Sequence, residues 1–156
     1  MADAATISVT ATMLPDEIAK TITGSMTVTP ADATEMWYYK LTSVTTTSTD
    51  LISGSYVNYT AIAVGTGLTA IATGDKVKFL FVQNTSEDDG IMLGFGGETA
   101  AYTLANGVFV GPSQTWFARL HNTTVGNLHA ISADYGSAGD ASASVIVIAL
   151  LEDISA

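Results

Sequence analysis

The sequence predicts an all-β fold: a single-domain antiparallel β-sandwich, jelly-roll-like, with an extended N-terminal strand or arm. Three observations predict it. The run Val77-Lys78-Phe79-Leu80-Phe81-Val82 crowds β-branched and aromatic residues into one strand-like segment, the organising stretch of the chain. Other short strand-like segments recur along the chain with Gly, Pro, Asn or Asp turn signals between them. No stretch holds a helical period long enough for a helix that could pack on a sheet, which leaves a sandwich or jelly roll.

Taken in order, residues 6–13 alternate: Ile7, Val9, Ala11 and Met13 share one face, and Thr6, Ser8, Thr10 and Thr12 the other. This is a half-buried strand that can also serve as an arm, so residues 1–30 are expected to contact neighbouring subunits. Leu14-Pro15 breaks it, residues 18–22 offer one helical turn, Gly24-Ser25 a turn, and residues 26–29 a short strand before Pro30. Trp37-Tyr38-Tyr39-Lys40-Leu41 places Trp37, Tyr39 and Leu41 on one face of a strand and Tyr38 and Lys40 on the other. Residues 43–50 read as an edge strand or solvated loop, and residues 51–52 and 56–64 as short β segments. Gly74-Asp75 signals a hairpin turn before the organising strand. An acidic turn and Ile91-Met92-Leu93-Gly94-Phe95 then suggest that this strand and its successor form a central hairpin of one sheet. Asn106-Gly107 marks a type I′ turn, residues 115–120 and 128–132 are strands, and Val145-Ile146-Val147-Ile148 closes the domain.

Composition limits the function. Charged residues make up 13% of the 156, against roughly 25% in ordinary soluble chains. Such a chain is expected to hide much of its outside against other subunits, since surface charge is what normally keeps copies apart. Five Lys and Arg stand against fifteen Asp and Glu, a net charge of −10, which disfavours nucleic acid and anionic membrane as partners. With no cysteine there is no disulfide, thiolate nucleophile or zinc–cysteine site. The Met1-Ala2-Asp3-Ala4 start lacks a basic segment and an apolar core, so no secretory signal is expected. The longest apolar run, residues 145–151, is far below the roughly 20 residues of a spanning helix. The expected product is soluble and made in the cytoplasm.

Chemistry-bearing motifs are few. Gly65-Thr66-Gly67 with Ala70 imitates a dinucleotide fingerprint, but Thr69, Ile71 and Thr73 read as strand where a helix must receive the pyrophosphate. No cofactor is expected. Glu87, Asp88 and Asp89 form the one weak candidate for Ca²⁺, and they miss the EF-hand pattern because Gly96 falls where the bidentate acid belongs. His121 and His129 lack metal-ligand spacing, and no GxSxG elbow marks a nucleophile, so no catalytic residue is expected. The Asn58, Asn84 and Asn122 glycosylation patterns read as turn residues. Tyr38, Tyr39 and Trp116 are candidates for sugar stacking or interface anchoring. The interface candidates are Ile7, Val9, Met13 and Leu14 in the arm, with Tyr38 and Tyr39.

The second half also resembles a family. Val82-Gln83-Asn84-Thr85 before an acidic turn, then Leu93-Gly94-Phe95-Gly96-Gly97, Gly111-Pro112, a strand with Trp116, Leu128-His129-Ala130-Ile131-Ser132 and an aliphatic strand from Ser144 follow in the order found in small β-sandwich virion proteins of tailed bacteriophages. The capsid decoration, or cement, proteins are the most similar. The resemblance spans residues 76–153, rests on turn and strand style, and carries over no functional residue. It implies a non-enzymatic protein on the outside of the capsid, a homotrimer that bridges neighbouring subunits of the major capsid protein. The alternative is a phage tail or fibre module, or a lectin-like carbohydrate-binding sandwich.

Overall fold

The computed structural model describes residues 4–13, 20–55, 70–96, 107–133 and 142–154. The chain divides into two compact units, Met1–Ala33 and Thr34–Ala156.

The first unit is a ribbon of two antiparallel strands, β1 (Ala5–Met13) and β2 (Lys20–Val28), in register from Ala5↔Val28 to Met13↔Lys20. The alternation predicted for β1 is present. The helical turn and the Gly24-Ser25 turn are not: residues 20–22 and Gly24-Ser25 lie inside β2, and residues 18–19 fall outside the described residues. The β-branched Thr21, Ile22 and Thr23 prefer the extended backbone, and Gly24 is carried in the ladder opposite Val9.

The second unit holds the sandwich. Its strands are β3 (Glu35–Val44), β4 (Thr49–Asp50), β5 (Lys76–Asn84), β6 (Gly90–Gly94), β7 (Val108–Val110), β8 (Thr115–Arg119), β9 (His129–Ala133) and β10 (Ala143–Glu152). A 3-10 turn at Val125–Asn127 precedes β9. They form two four-stranded sheets, ordered β3-β10-β5-β8 and β4-β9-β6-β7. The pairs are nested: β3 with β10, β4 with β9, β5 with β8 and β6 with β7, all antiparallel. The pairings β10–β5 and β9–β6 join the nested pairs into sheets. This is the strand order of a jelly roll, an antiparallel ribbon rolled over itself.

The expectation of a central hairpin is therefore corrected. β5 and β6 follow one another in sequence but lie in different sheets, and residues 85–89 carry the chain across. β5 is apolar on both faces, so it sits between β10 and β8, while all five residues of β6 are buried in the opposite sheet. The Gly74-Asp75 hairpin is corrected for the same reason. A turn forms there, with the Asp75 N–H donating to the Ala72 carbonyl at 3.1 Å, but both edges of β5 belong to β10 and β8.

Between the sheets, Leu80, Val82, Val145, Val147 and Leu151 from one layer meet Ile91, Leu93, Val110, Leu128 and Ala130 from the other, with Leu51 and Ile52 closing the side. Alternation in β10 follows from this: Val145, Val147 and Ala149 point inward, and Ser144, Ile146 and Ile148 outward. A register shift at Leu150/Leu151 leaves Lys78 unopposed, and its ammonium reaches Glu152 Oε2 at 2.7 Å.

Candidate functional site

Two surfaces and one buried histidine are the candidates, and they do different things.

The ribbon presents two unlike faces. Thr6↔Thr27, Ser8↔Ser25, Thr10↔Thr23 and Thr12↔Thr21 make one face of hydroxyls, all exposed. The other carries Ile7 opposite Met26, Val9 opposite Gly24 and Ala11 opposite Ile22. Ile22 is 55% and Val9 40% exposed, while Ile7 and Met26 are half-buried. A two-stranded ribbon is marginal in water unless its apolar face is covered. Of the arm residues singled out from sequence, Ile7 and Val9 stand on this face. The Met13 side chain and Leu14 lie outside the described residues.

The outer face of the β3-β10-β5-β8 sheet is the second surface. Cross-strand pairing lines up Tyr39, Ile148, Phe81 and Phe117 in one row and Leu41, Ile146, Gln83 and Thr115 in the next. Tyr39 is 57% and Leu41 61% exposed. A third row, Trp37, Leu150 and Phe79, is buried, with the Trp37 and Phe79 rings edge to face at 6.3 Å.

Tyr38 was expected at an interface, and that is corrected. It faces inward and is 1% exposed. Its hydroxyl donates to the Ser53 carbonyl at 3.3 Å and accepts from the Ser53 N–H at 3.2 Å. Burial pushes the phenol above its ordinary value, partly offset by the Ser53 backbone and the Thr42 hydroxyl. The strand alternation was right, but the core lies on the side of Tyr38 rather than Trp37. Trp116 also faces inward, tilted against Phe95 at 5.6 Å. Tyr38, Tyr39 and Trp116 are thus divided between the two faces of the sheet and make no common stacking platform.

His129 is the most enzyme-like residue. It is 4% exposed, with Nδ1 at 3.1 Å from Asp50 Oδ1 and 3.3 Å from Ser48 Oγ. Nε2 lies 3.0 Å from the Gly126 carbonyl. Serine, histidine and aspartate therefore meet, but not as a relay. In a triad the carboxylate takes one ring nitrogen and the hydroxyl the other. Here both crowd Nδ1, and Nε2 is spent on backbone. The group ties β4 to β9 and the 3-10 turn. His121 stands apart and exposed.

Asn84 is a hub that sequence reasoning missed. It is 0% exposed, and Nδ2 donates to the carbonyls of Asp89 at 2.7 Å, Gly111 at 3.1 Å and Val110 at 3.4 Å. Its Oδ1 accepts from the Ser86 N–H at 3.0 Å. The glycosylation pattern at Asn84 is thus buried and fully engaged, while Asn122 is exposed and Asn58 lies outside the described residues. In the acidic turn, Glu87 and Asp88 are exposed and Asp89 half-buried. Among the described residues no group of three His, Asp or Glu is placed to hold a metal ion. Of the dinucleotide-like motif only Ala70 is described, in an isolated bridge to Ser55. No helix of the described residues is long and apolar enough to cross a membrane.

Comparison with family models, with curated proteins and with solved structures gives no match to this chain.

Proposed function

We propose that this chain is a non-enzymatic structural protein of a bacteriophage virion, of the decoration type, which stabilises the capsid by bridging neighbouring subunits of the major capsid protein. The observation that carries the reading is the ribbon β1–β2, whose apolar face leaves Ile22 and Val9 in water. Full burial of such a side chain against a neighbour stabilises by about 1.5–3 kcal/mol. The low charge of the chain and the resemblance of its second half support the same reading. So does the wiring of His129, which holds strands together and offers no free ring nitrogen to a substrate.

On this reading the ribbon acts as an arm that covers its apolar face against a neighbouring subunit. The oligomer expected from the resemblance is a homotrimer on the capsid surface. The test is co-sedimentation of the full chain with shells assembled from its cognate major capsid protein. Wild type is expected to pellet with the shells and raise their resistance to heat. Ile22→Lys is expected to weaken attachment tenfold or more, the free-energy equivalent of about 1.4 kcal/mol, with the sandwich melting unchanged. Equal attachment of wild type and variant would remove the arm from the account.

A further inference from the structure

We propose that β1 of one copy adds to the open edge of β3 in a neighbouring copy, as an extra antiparallel strand, and that repeating this contact closes a ring of three. The proposal rests on the reading of the chain as a homotrimeric contact protein and names the strands that join the copies. It uses the backbone edge of the ribbon, whereas attachment to the shell uses the ribbon's apolar face.

An edge strand offers a row of N–H and C=O groups to any strand that can reach it. Proteins that stay single guard such edges with short strands, bulges, proline or charge. Neither edge here is guarded. β1 is nine residues long, contains no charge, glycine or proline, and keeps register with β2 along its whole length. β3 is ten residues long and in unbroken register with β10, its only partner strand among the described residues. Its one charge away from its ends, Lys40, is turned to Ser53, with Nζ 3.0 Å from Oγ. On the side away from β10 the backbone of residues 39–43 has no hydrogen-bond partner among the described residues. Exposure agrees: residues 8–12 are all exposed, and so are Tyr39, Lys40, Leu41 and Ser43. The remaining edges are poorer. β4, β7 and β8 have two, three and five residues, and β2 begins at Lys20 and carries Gly24 in mid-strand.

Parity and exposure together choose the register. Val9 opposite Leu41 sets Ala11 beside Tyr39 on the outer face, and Ser8 beside Thr42 and Thr10 beside Lys40 on the other. The apolar side of β1 then meets Tyr39 and Leu41, 57% and 61% exposed, and its hydroxyl side meets the polar side of β3. A slip of one residue would set Val9 against Lys40 and lose both matches. Main-chain bonds supply the affinity of an added strand, and the cross-strand pairs its specificity. A second copy is the occupant because each copy carries both halves, a donor edge and an acceptor edge of matching length and parity. Donor and acceptor differ, so the contact is heterologous and repeats about a rotation axis until the ring closes. Pairing β1 with β1 would instead stop at two copies and leave Tyr39 and Leu41 in water. Ile22 lies on β2, one strand beyond the new pairing, and keeps its face for the shell.

Engineered thiols test the register in the full chain, which has no cysteine of its own. Residues directly opposite in an antiparallel pair stand about 4.5–5.5 Å apart at Cβ, near the span of a disulfide. Val9→Cys/Leu41→Cys is expected to oxidise to two- and three-chain species and to stop at three. Each cysteine alone, and Val9→Cys/Lys40→Cys on opposite faces, is expected to give no cross-link. Sedimentation equilibrium is the second readout, with wild type expected at three times the 16.1 kDa chain mass. Thr10→Lys sets like charges opposite at an exposed position and is expected to weaken assembly about tenfold, with melting of the sandwich unchanged. Thr10→Lys/Lys40→Glu is expected to recover most of the loss. A wild type that stays single or stops at two copies, no cross-link in Val9→Cys/Leu41→Cys, a ladder that runs past three chains, or Thr10→Lys assembling like wild type would overturn the proposal. Ile22→Lys is expected to keep the three-copy species while losing shell attachment, so the edge contact and the arm's attachment can fail separately.

Discussion

Replacing Asn84 by Ala removes the side chain that holds two loops of the jelly roll together. Its amide N–H groups serve the Asp89 carbonyl in the β5–β6 crossing and the Gly111 and Val110 carbonyls in the β7–β8 turn, and its oxygen takes the Ser86 N–H. The two N–H groups and one oxygen make three net bonds of about 1 kcal/mol each. At 0% exposure water cannot replace them without entering the core edge, so the expected loss is about 3–4 kcal/mol, a large share of the roughly 5–15 kcal/mol of a typical domain. At about 2–4 °C per kcal/mol for a chain of this size, the melting temperature falls by about 6–16 °C. Asn84→Asp keeps the shape but turns a carboxylate oxygen toward carbonyls that need donors, so it costs at least as much. Urea unfolding followed by tryptophan fluorescence reads the effect as a lower midpoint at unchanged slope. A loss below about 1 kcal/mol in both variants would refute the view that the β5–β6 crossing is pinned by this residue.

Three further outcomes are expected. Tyr38→Phe loses the two Ser53 contacts and costs about 1 kcal/mol at neutral pH. Because the folded phenol titrates above its unfolded value of 10.0, wild-type stability is full below pH 10 and falls above it, with a slope of up to about 1.4 kcal/mol per pH unit; the variant's profile should be flatter in that window by thermal unfolding at pH 9–11. Ser132→Ala removes a buried hydroxyl with no hydrogen-bond partner among the described residues, so calorimetry should show stability unchanged or raised by about 1 kcal/mol. Asp75→Ala strips acceptors from the Ala72 and Ile154 N–H groups at a fully buried carboxylate. It should lower stability by about 2–4 kcal/mol and speed amide exchange at Ala72 and Ile154.

The strands were legible where alternation is one-sided. β1 read correctly because its apolar and polar residues separate by parity, and β10 because its aliphatic run Val145-Ile146-Val147-Ile148 is β-branched throughout. Which strands pair was not legible. β5 and β6 looked like a hairpin because they adjoin in sequence, yet β5 takes partners from residues 115–119 and 143–152. Parity showed that Tyr38 and Tyr39 point apart, but which side holds the core depends on the opposing sheet. Gly24-Ser25 carries turn composition and sits in a ladder, since an exposed ribbon tolerates a glycine opposite Val9. Asn84 read as a surface turn residue because its partners lie up to 27 positions away. Parity placed Ile7 and Val9 on one face of the ribbon, whereas the row Tyr39–Ile148–Phe81–Phe117 emerges only from cross-strand register.

The central claim is that this chain works through contact area with its neighbours. Electron cryomicroscopy of the phage particle proposed to carry it tests this most directly. The account predicts jelly-roll density on the capsid exterior with a two-stranded arm laid on an adjacent capsid subunit. The same density at the tail tip, or particles that contain no copy of the chain, would contradict it.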